Sequence, residues 1–244
     1  MTLTLEDRVL TALGTVYDPE LDQPISALGF VGECAVSGGG EVSVRLRLPT
    51  PQCAPNFAYL MAADAHAAVL AVPGVTCASV VLEDHYTGAE INAALARGGD
   101  FDDAFPGETT GSLDALRELF RRKALVARQA RLCQGLLAEG ATPEDIAGMR
   151  VADLPDGADG VRCRELRRVL GLPHAAGDAM LVAGDGSMLS AEELPKWLRR
   201  ARLMTLSLEA NGEICRSLLA VRYGEPALLG SPAVSSSDHE EVAA

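Results

Sequence analysis

From residue 41 to 48 the chain alternates without a break, with Val42, Val44, Leu46 and Leu48 apolar and Glu41, Ser43, Arg45 and Arg47 polar. A period of two sends successive side chains to opposite faces, so the segment predicts a strand with one dry and one wet side. Phe30 to Val36 stands before it as a partner strand. The intervening Ser37-Gly38-Gly39-Gly40 accepts the positive φ of a tight turn, and the pair is expected to be antiparallel. On either side the period lengthens to that of a helix. Leu5, Val9, Leu10, Leu13, Val16 and Tyr17 recur at helical spacing after Thr4, a suitable N-cap, and Phe57, Leu60, Met61, Ala65, Ala68, Val69 and Val72 do the same until Pro73-Gly74 stops them. Cys77 to Glu83 predicts a third strand. Helix, strand, strand, helix, strand is the order of a small two-layer α/β unit with its helices on one face of the sheet.

Beyond residue 111 the apolar spacing is mainly helical, over 112–139, 142–149, 161–170 and 191–208, with a short strand and turn around Ala179 to Gly186. The whole is therefore an α+β chain: a small two-layer α/β domain followed by a mainly α-helical second domain. Arg97 to Glu108, rich in Gly, Pro and Asp, predicts a linker. We place the first domain at 1–96, the linker at 97–111, the helical domain at 112–225 and a flexible, small and polar tail at 226–244.

Charge sharpens this division. The net charge of the 244 residues is -13. Residues 1–109 carry 4 basic and 15 acidic side chains, residues 110–225 carry 17 and 16, and residues 226–244 carry 0 and 3. An acidic total excludes general affinity for nucleic acid or an anionic membrane surface, both of which are bound through accumulated positive charge. The row Arg117, Arg121, Arg122, Lys123, Arg128 and Arg131 predicts a basic helix face that docks the acidic first domain or an acidic client. No apolar run is long enough to cross a bilayer and the first residues lack the features of a signal peptide, so a cytoplasmic protein is expected. The six cysteines, Cys34, Cys53, Cys77, Cys133, Cys163 and Cys215, are scattered and form no CxxC pair, which argues against both disulfides and a self-contained metal knuckle.

Chemistry concentrates in two loops at one end of the first domain, Asp18-Pro19-Glu20-Leu21 and Thr50-Pro51-Gln52-Cys53-Ala54-Pro55. Cys53 falls at or just before a helix start, where unpaired N–H groups and the helix dipole favour a thiolate, which is both a nucleophile and a soft metal ligand. Asp18 and Glu20 offer hard oxygens beside it. The chain has no P-loop, no Gly-x-Ser-x-Gly elbow and no H-E-x-x-H helix, and no His base is evident near Cys53.

Val16-Tyr17-Asp18-Pro19-Glu20-Leu21, Leu28-Gly29-Phe30-Val31, Thr50 to Cys53 and Val72-Pro73-Gly74-Val75 together resemble, in order and spacing, the SufT/PaaD-like metal-sulfur cluster assembly family. The resemblance spans residues 5 to 96, with Tyr86 to Ile91 as the closing segment, and covers nothing after it. It implies an α/β fold and an accessory protein, not an enzyme with its own substrate. It further implies that an iron-sulfur cluster or iron is bound transiently near Cys53, Asp18, Glu20 and Thr50, with Cys53 and Asp18 as metal ligands. The chain departs from the family at Ala54, which stands between Cys53 and Pro55 where the family has Cys followed directly by Pro.

One cysteine does not hold a cluster. The remaining ligands come from a homodimer, from a partner protein, or from Cys34 and Cys77, although strand positions suit those two better as core residues. His85 reads as an exposed loop residue more readily than as a ligand. Cys133, Cys163, Cys215 and His174 lack metal-motif spacing and are expected to be buried. The function expected is metallocofactor maturation, by assembly or delivery of iron-sulfur clusters or iron to a client metalloenzyme or to other cluster-assembly proteins. The alternative is a folding adaptor for an apo-metalloenzyme subunit that carries no metal.

Overall fold

The computed structural model describes residues 3–108 and 113–224; the expected tail and the Ser112 helix cap lie outside them. Thr4 opens α1 (Leu5–Leu13) with a reciprocal cap, its hydroxyl accepting from the Asp7 N–H at 3.1 Å while Asp7 Oδ2 accepts from the Thr4 N–H at 2.9 Å. Two very short antiparallel strands, β1 (Tyr17–Asp18) and β2 (Gln23–Pro24), then clasp the acidic loop between them. The expected hairpin is present as β3 (Val31–Val36) and β4 (Glu41–Arg47), antiparallel, and after α2 (Pro55–Leu70) the chain returns as β5 (Cys77–Glu83), parallel to β4. The sheet order is β3-β4-β5.

The alternation in β4 does what its period requires: Val42, Val44 and Leu46 are buried, while Glu41, Ser43 and Arg45 face water. Their dry side packs with Val9 and Leu13 of α1, Met61, Ala65 and Val69 of α2, and Val80 and Leu82 of β5 in one core. At the β3–β4 turn, Gly40 has φ +80° and its missing Cβ would lie 2.3 Å from the Gly74 carbonyl oxygen, so glycine is required there for both conformation and space. α3 (Gly88–Ala96) follows β5. Its Asn92 amide accepts from the Leu82 N–H at 2.9 Å and donates to the Leu82 carbonyl at 3.0 Å, pairing backbone groups that the adjacent strand leaves open.

The Gly/Pro/Asp-rich stretch after α3 carries a short helix, α4 (Phe101–Ala104), capped by Asp100. Phe101 packs edge-on against Tyr59 at 5.5 Å, and the Tyr59 hydroxyl donates to the Gly99 carbonyl at 3.1 Å. Across the described residues 97–108, part of this stretch is thus laid onto α2.

Among the described residues four α-helices build the second region: α5 (Leu113–Ala138), α6 (Pro143–Gly148), α7 (Ala158–Val169) and α8 (Leu194–Tyr223). Leu125, Cys133, Ile146, Cys163, Leu166 and Leu194 form its core. The segment around Met180 to Val182, expected as a short strand, makes only isolated bridges. Buried Gln129 of α5 takes a strand's place, donating to the Val182 carbonyl at 2.9 Å and accepting from its N–H at 3.0 Å. α8 runs fifteen residues past the Leu208 end that the apolar spacing suggests, to Tyr223. Asn211-Gly212 reads as a breaker in sequence, but a Cβ on Gly212 would lie 2.7 Å from the Gln23 amide nitrogen. Glycine here lets the helix press against β2.

Part of the basic face of α5 is turned onto the acidic first region, through Arg117 and Arg128, while Arg122 and Arg131 bond within the second region. Buried Asp22, at φ +48°, accepts from Arg128 Nε at 2.7 Å and from Arg162 at 2.9 and 3.0 Å. Arg128 also reaches Asp159 at 2.8 Å, and the Arg162 guanidinium lies 3.7 Å from the Tyr17 ring centroid. Burial opposes the charge on Arg128, but Asp22 and Asp159 outweigh it and raise the pKa. Arg117 pairs with Asp64, and Phe57 meets Phe120 edge-on at 5.0 Å.

Candidate functional site

The Asp18 to Leu21 turn is built by its first residue. Asp18 Oδ1 accepts from the Glu20 N–H at 2.8 Å and from the Leu21 N–H at 2.9 Å, an arrangement that fixes the loop and sinks the carboxyl into the protein. Among the described residues no Arg or Lys pairs with it. Desolvation pushes its pKa up to about 6; the two backbone bonds oppose this and the Glu20 charge adds to it.

The second loop ends at the start of α2, where Pro55 is the first helical residue and Ala54 the N-cap, with no side chain satisfying the first-turn N–H groups. The extra residue of this chain therefore becomes the cap, and Cys53 stands one position before it. Thr50 Oγ1 is 3.6 Å from Cys53 Sγ. The loop is pinned from below: His85 Nε2 donates to the Cys53 carbonyl at 2.7 Å, its Nδ1 accepts from the Thr87 N–H at 3.3 Å, and the Tyr86 N–H donates to the Pro51 carbonyl at 3.0 Å. A carbonyl only accepts, so Nε2 carries the proton in this contact. His85 is half-buried and braces the loop; the expected exposed histidine is corrected accordingly.

Asp18, Glu20 and Cys53 line one cavity of about 80 Å³, walled by Leu21, Phe30, Leu48, Phe57 and Met61. Cys215 of α8 lines it too. Burial, followed by Asp18, Cys53 and Glu20, pushes the Cys215 thiol up to about 11. In sequence Cys215 looks no different from Cys133 and Cys163. Those two are buried in the second core, where burial drives their thiols to about 12, whereas Cys215 packs against the first core. The signal that could have separated it is the stripe Gly212, Cys215, Leu219, Tyr223, one face of a helix at intervals of three and four.

Cys34 and Cys77 do not meet: Cys34 pairs in register with Val44 on one side of β4, Cys77 with Glu41 on the other, and Cys77 is exposed, not core. Among the described residues no three His, Cys, Asp or Glu side chains are arranged to hold a metal ion together. A larger cavity of about 260 Å³ lies behind Asp18, between the two regions, lined by Asp22, Asp64, Arg117, Arg121 and Arg162.

The buried carboxyl has a measurable consequence. Its folded pKa lies above the ordinary 3.8, so its contribution to stability is complete below pH 3.8 and is lost as the pH rises through 6. Asp18→Asn keeps an oxygen for the Glu20 and Leu21 N–H groups and has no charge to desolvate. The variant is expected to exceed wild type in stability by about 2 kcal/mol at pH 7.5, with the difference closing towards pH 4. Urea denaturation at both pH values measures this, and a variant less stable at pH 7.5 would contradict the assignment.

A carboxyl and a thiol thus stand on neighbouring loops of a small helix-covered sheet, the thiol just before a helix start. Residues 6–80 match the family described as iron-sulfur cluster assembly protein. An uncharacterized protein of Methanocaldococcus jannaschii is 36% identical over 93 residues, which are 95% of that protein and 38% of this chain. No solved structure matches. The chain belongs to the iron-sulfur cluster assembly protein family through its first domain, and that membership places it in iron-sulfur cluster assembly in general terms. No helix among the described residues is long and apolar enough to cross a membrane.

Proposed function

We propose that this chain is a non-enzymatic factor that takes up an iron-sulfur cluster or iron at Cys53 and passes it to a client metalloenzyme or to another assembly protein. The observation that carries this reading is the placement of Cys53, Asp18 and Glu20 around one small cavity inside the matched segment. Thr50 and His85 position the Cys53 loop, Asp18 and Glu20 supply oxygens beside the sulfur, and the apolar walls limit competing water. A cargo protein must bind firmly enough to load and weakly enough to release. An incomplete ligand set does both, since an acceptor can add its own ligands before Cys53 lets go. On this reading residues 1–96 carry the cargo loop with Cys53, and the helical residues 112–225 buttress that domain and present it to the client.

Handover is the property that separates this function from folding assistance. Wild-type protein reconstituted anaerobically with iron and sulfide, then desalted, is mixed with an apo-ferredoxin, with and without an iron chelator. Cluster is expected to reach the acceptor at similar rates in both mixtures. An adaptor that carries no metal would have no cluster to give, and transfer abolished by the chelator would mean release into solution instead of handover.

A further inference from the structure

Cys53 offers one sulfur to metals that ordinarily take several. We propose that Cys215, presented by α8 from the helical region, is the second sulfur, so that Cys53 and Cys215 form a two-thiolate site for a soft divalent metal such as ferrous iron. The nature of the cargo rests on the reading in the preceding subsection; the two-region ligand pair does not.

The geometry comes first. Both cysteines line the same cavity of about 80 Å³. That space exceeds the roughly 30 Å³ share of one water and falls well short of the roughly 300 Å³ at which small-molecule sites begin, so it suits an ion and its ligands. The lining is equally selective. It carries Asp18, Glu20, Cys53 and Cys215, four groups that become negative on ionisation, and among the described residues no Arg, Lys or His. A pocket of that composition gains by taking in a cation.

The helix that brings Cys215 is also anchored on both sides of it. Gly212 presses on Gln23, Arg216 donates to the Gln23 side chain at 2.8 Å, and Leu219 belongs to the first core, in contact range of Gly29. Arg222 donates to the Leu48 carbonyl at 3.2 Å and the Asp84 carbonyl at 2.9 Å. Leu48 begins the loop that ends in Cys53, and Asp84 precedes the His85 brace. One helix therefore positions the second thiol and grips the support of the first, which is the rigidity a preorganised ligand pair needs. As each metal–sulfur bond forms, the thiol gives its proton to solvent, and two thiolates balance a divalent charge. Two positions of a tetrahedral set stay open for sulfide or for ligands of a donor or acceptor.

Cobalt(II) is the probe, added anaerobically to the full chain. Sulfur-to-cobalt charge-transfer absorption counts thiolate ligands. Wild type is expected to show two sulfurs, Cys215→Ser and Cys53→Ser each about half the intensity, and the double variant none. X-ray absorption of the wild-type cobalt complex counts sulfurs directly and does not depend on any variant folding. One sulfur per cobalt in wild type, or undiminished intensity in Cys215→Ser, would overturn the pair. If the band depends on Cys53 alone, this inference falls and the proposed function stands; if wild type shows no band, both fall.

Discussion

Asp22→Ala is expected to lower the stability of the chain by about 3–5 kcal/mol, the range found when one partner of a buried ion pair is removed. Asp22 is 6% exposed, and the side chains of Arg128 and Arg162 are 11% and 12% exposed, so the variant leaves two guanidinium groups largely out of water with one carboxylate each, Asp159 and Glu165. The Asp22 φ of +48° adds to the cost, because alanine tolerates that region less well than aspartate. Asp22→Asn keeps the backbone preference and an acceptor oxygen and should fall between wild type and Asp22→Ala. Buried pairs are poorly screened, so the loss should persist in about 0.5 M salt, where a surface pair would have faded. Urea midpoints with unchanged slopes measure it. A loss within about 0.5 kcal/mol would show that the two regions are not held together through Asp22.

Asp22 also shows how far the sequence was readable. The period-two run from Val42 to Leu48 and the helical runs before and after it mark the main strand and helices of the α/β domain because each pattern is local, although α1 stops at Leu13 and Tyr17 enters β1. The acidic loop was legible as a turn with candidate ligands. Its other role, as the socket for Arg128 and Arg162, was not, since those arginines lie on helices whose packing no local pattern encodes. The charge imbalance between the two halves was the legible trace of that contact.

The same limit applies to the site. Cys53, Asp18, Glu20 and Thr50 come from two loops a short distance apart in sequence, and the structure brings them together. Cys215 reaches the same cavity because α8 continues through Asn211-Gly212, a pair whose local preference is to end a helix. Tertiary contact overrides that preference: Gln23 and Gly29 meet the helix where larger residues would hold it off. The neighbours Glu83 and Asp84 suggest an exposed His85, yet its bonds run to the Cys53 carbonyl and to Thr87, contacts that no local pattern encodes.

The second large effect is on metal loading. Cys53→Ala removes the sulfur that stands before the α2 N-terminus and leaves Cys215 with at most half of a two-thiolate pair, while Cys133→Ala removes a thiol buried in the other core, away from the cavity. Iron and acid-labile sulfide per chain, measured after anaerobic reconstitution and desalting of the full-length wild type, Cys53→Ala and Cys133→Ala, test the central claim most directly. Wild type and Cys133→Ala are expected to hold iron and sulfide with the visible absorption of a cluster, and Cys53→Ala to lose most of both. Equal metal-to-protein ratios in wild type and Cys53→Ala would contradict the account.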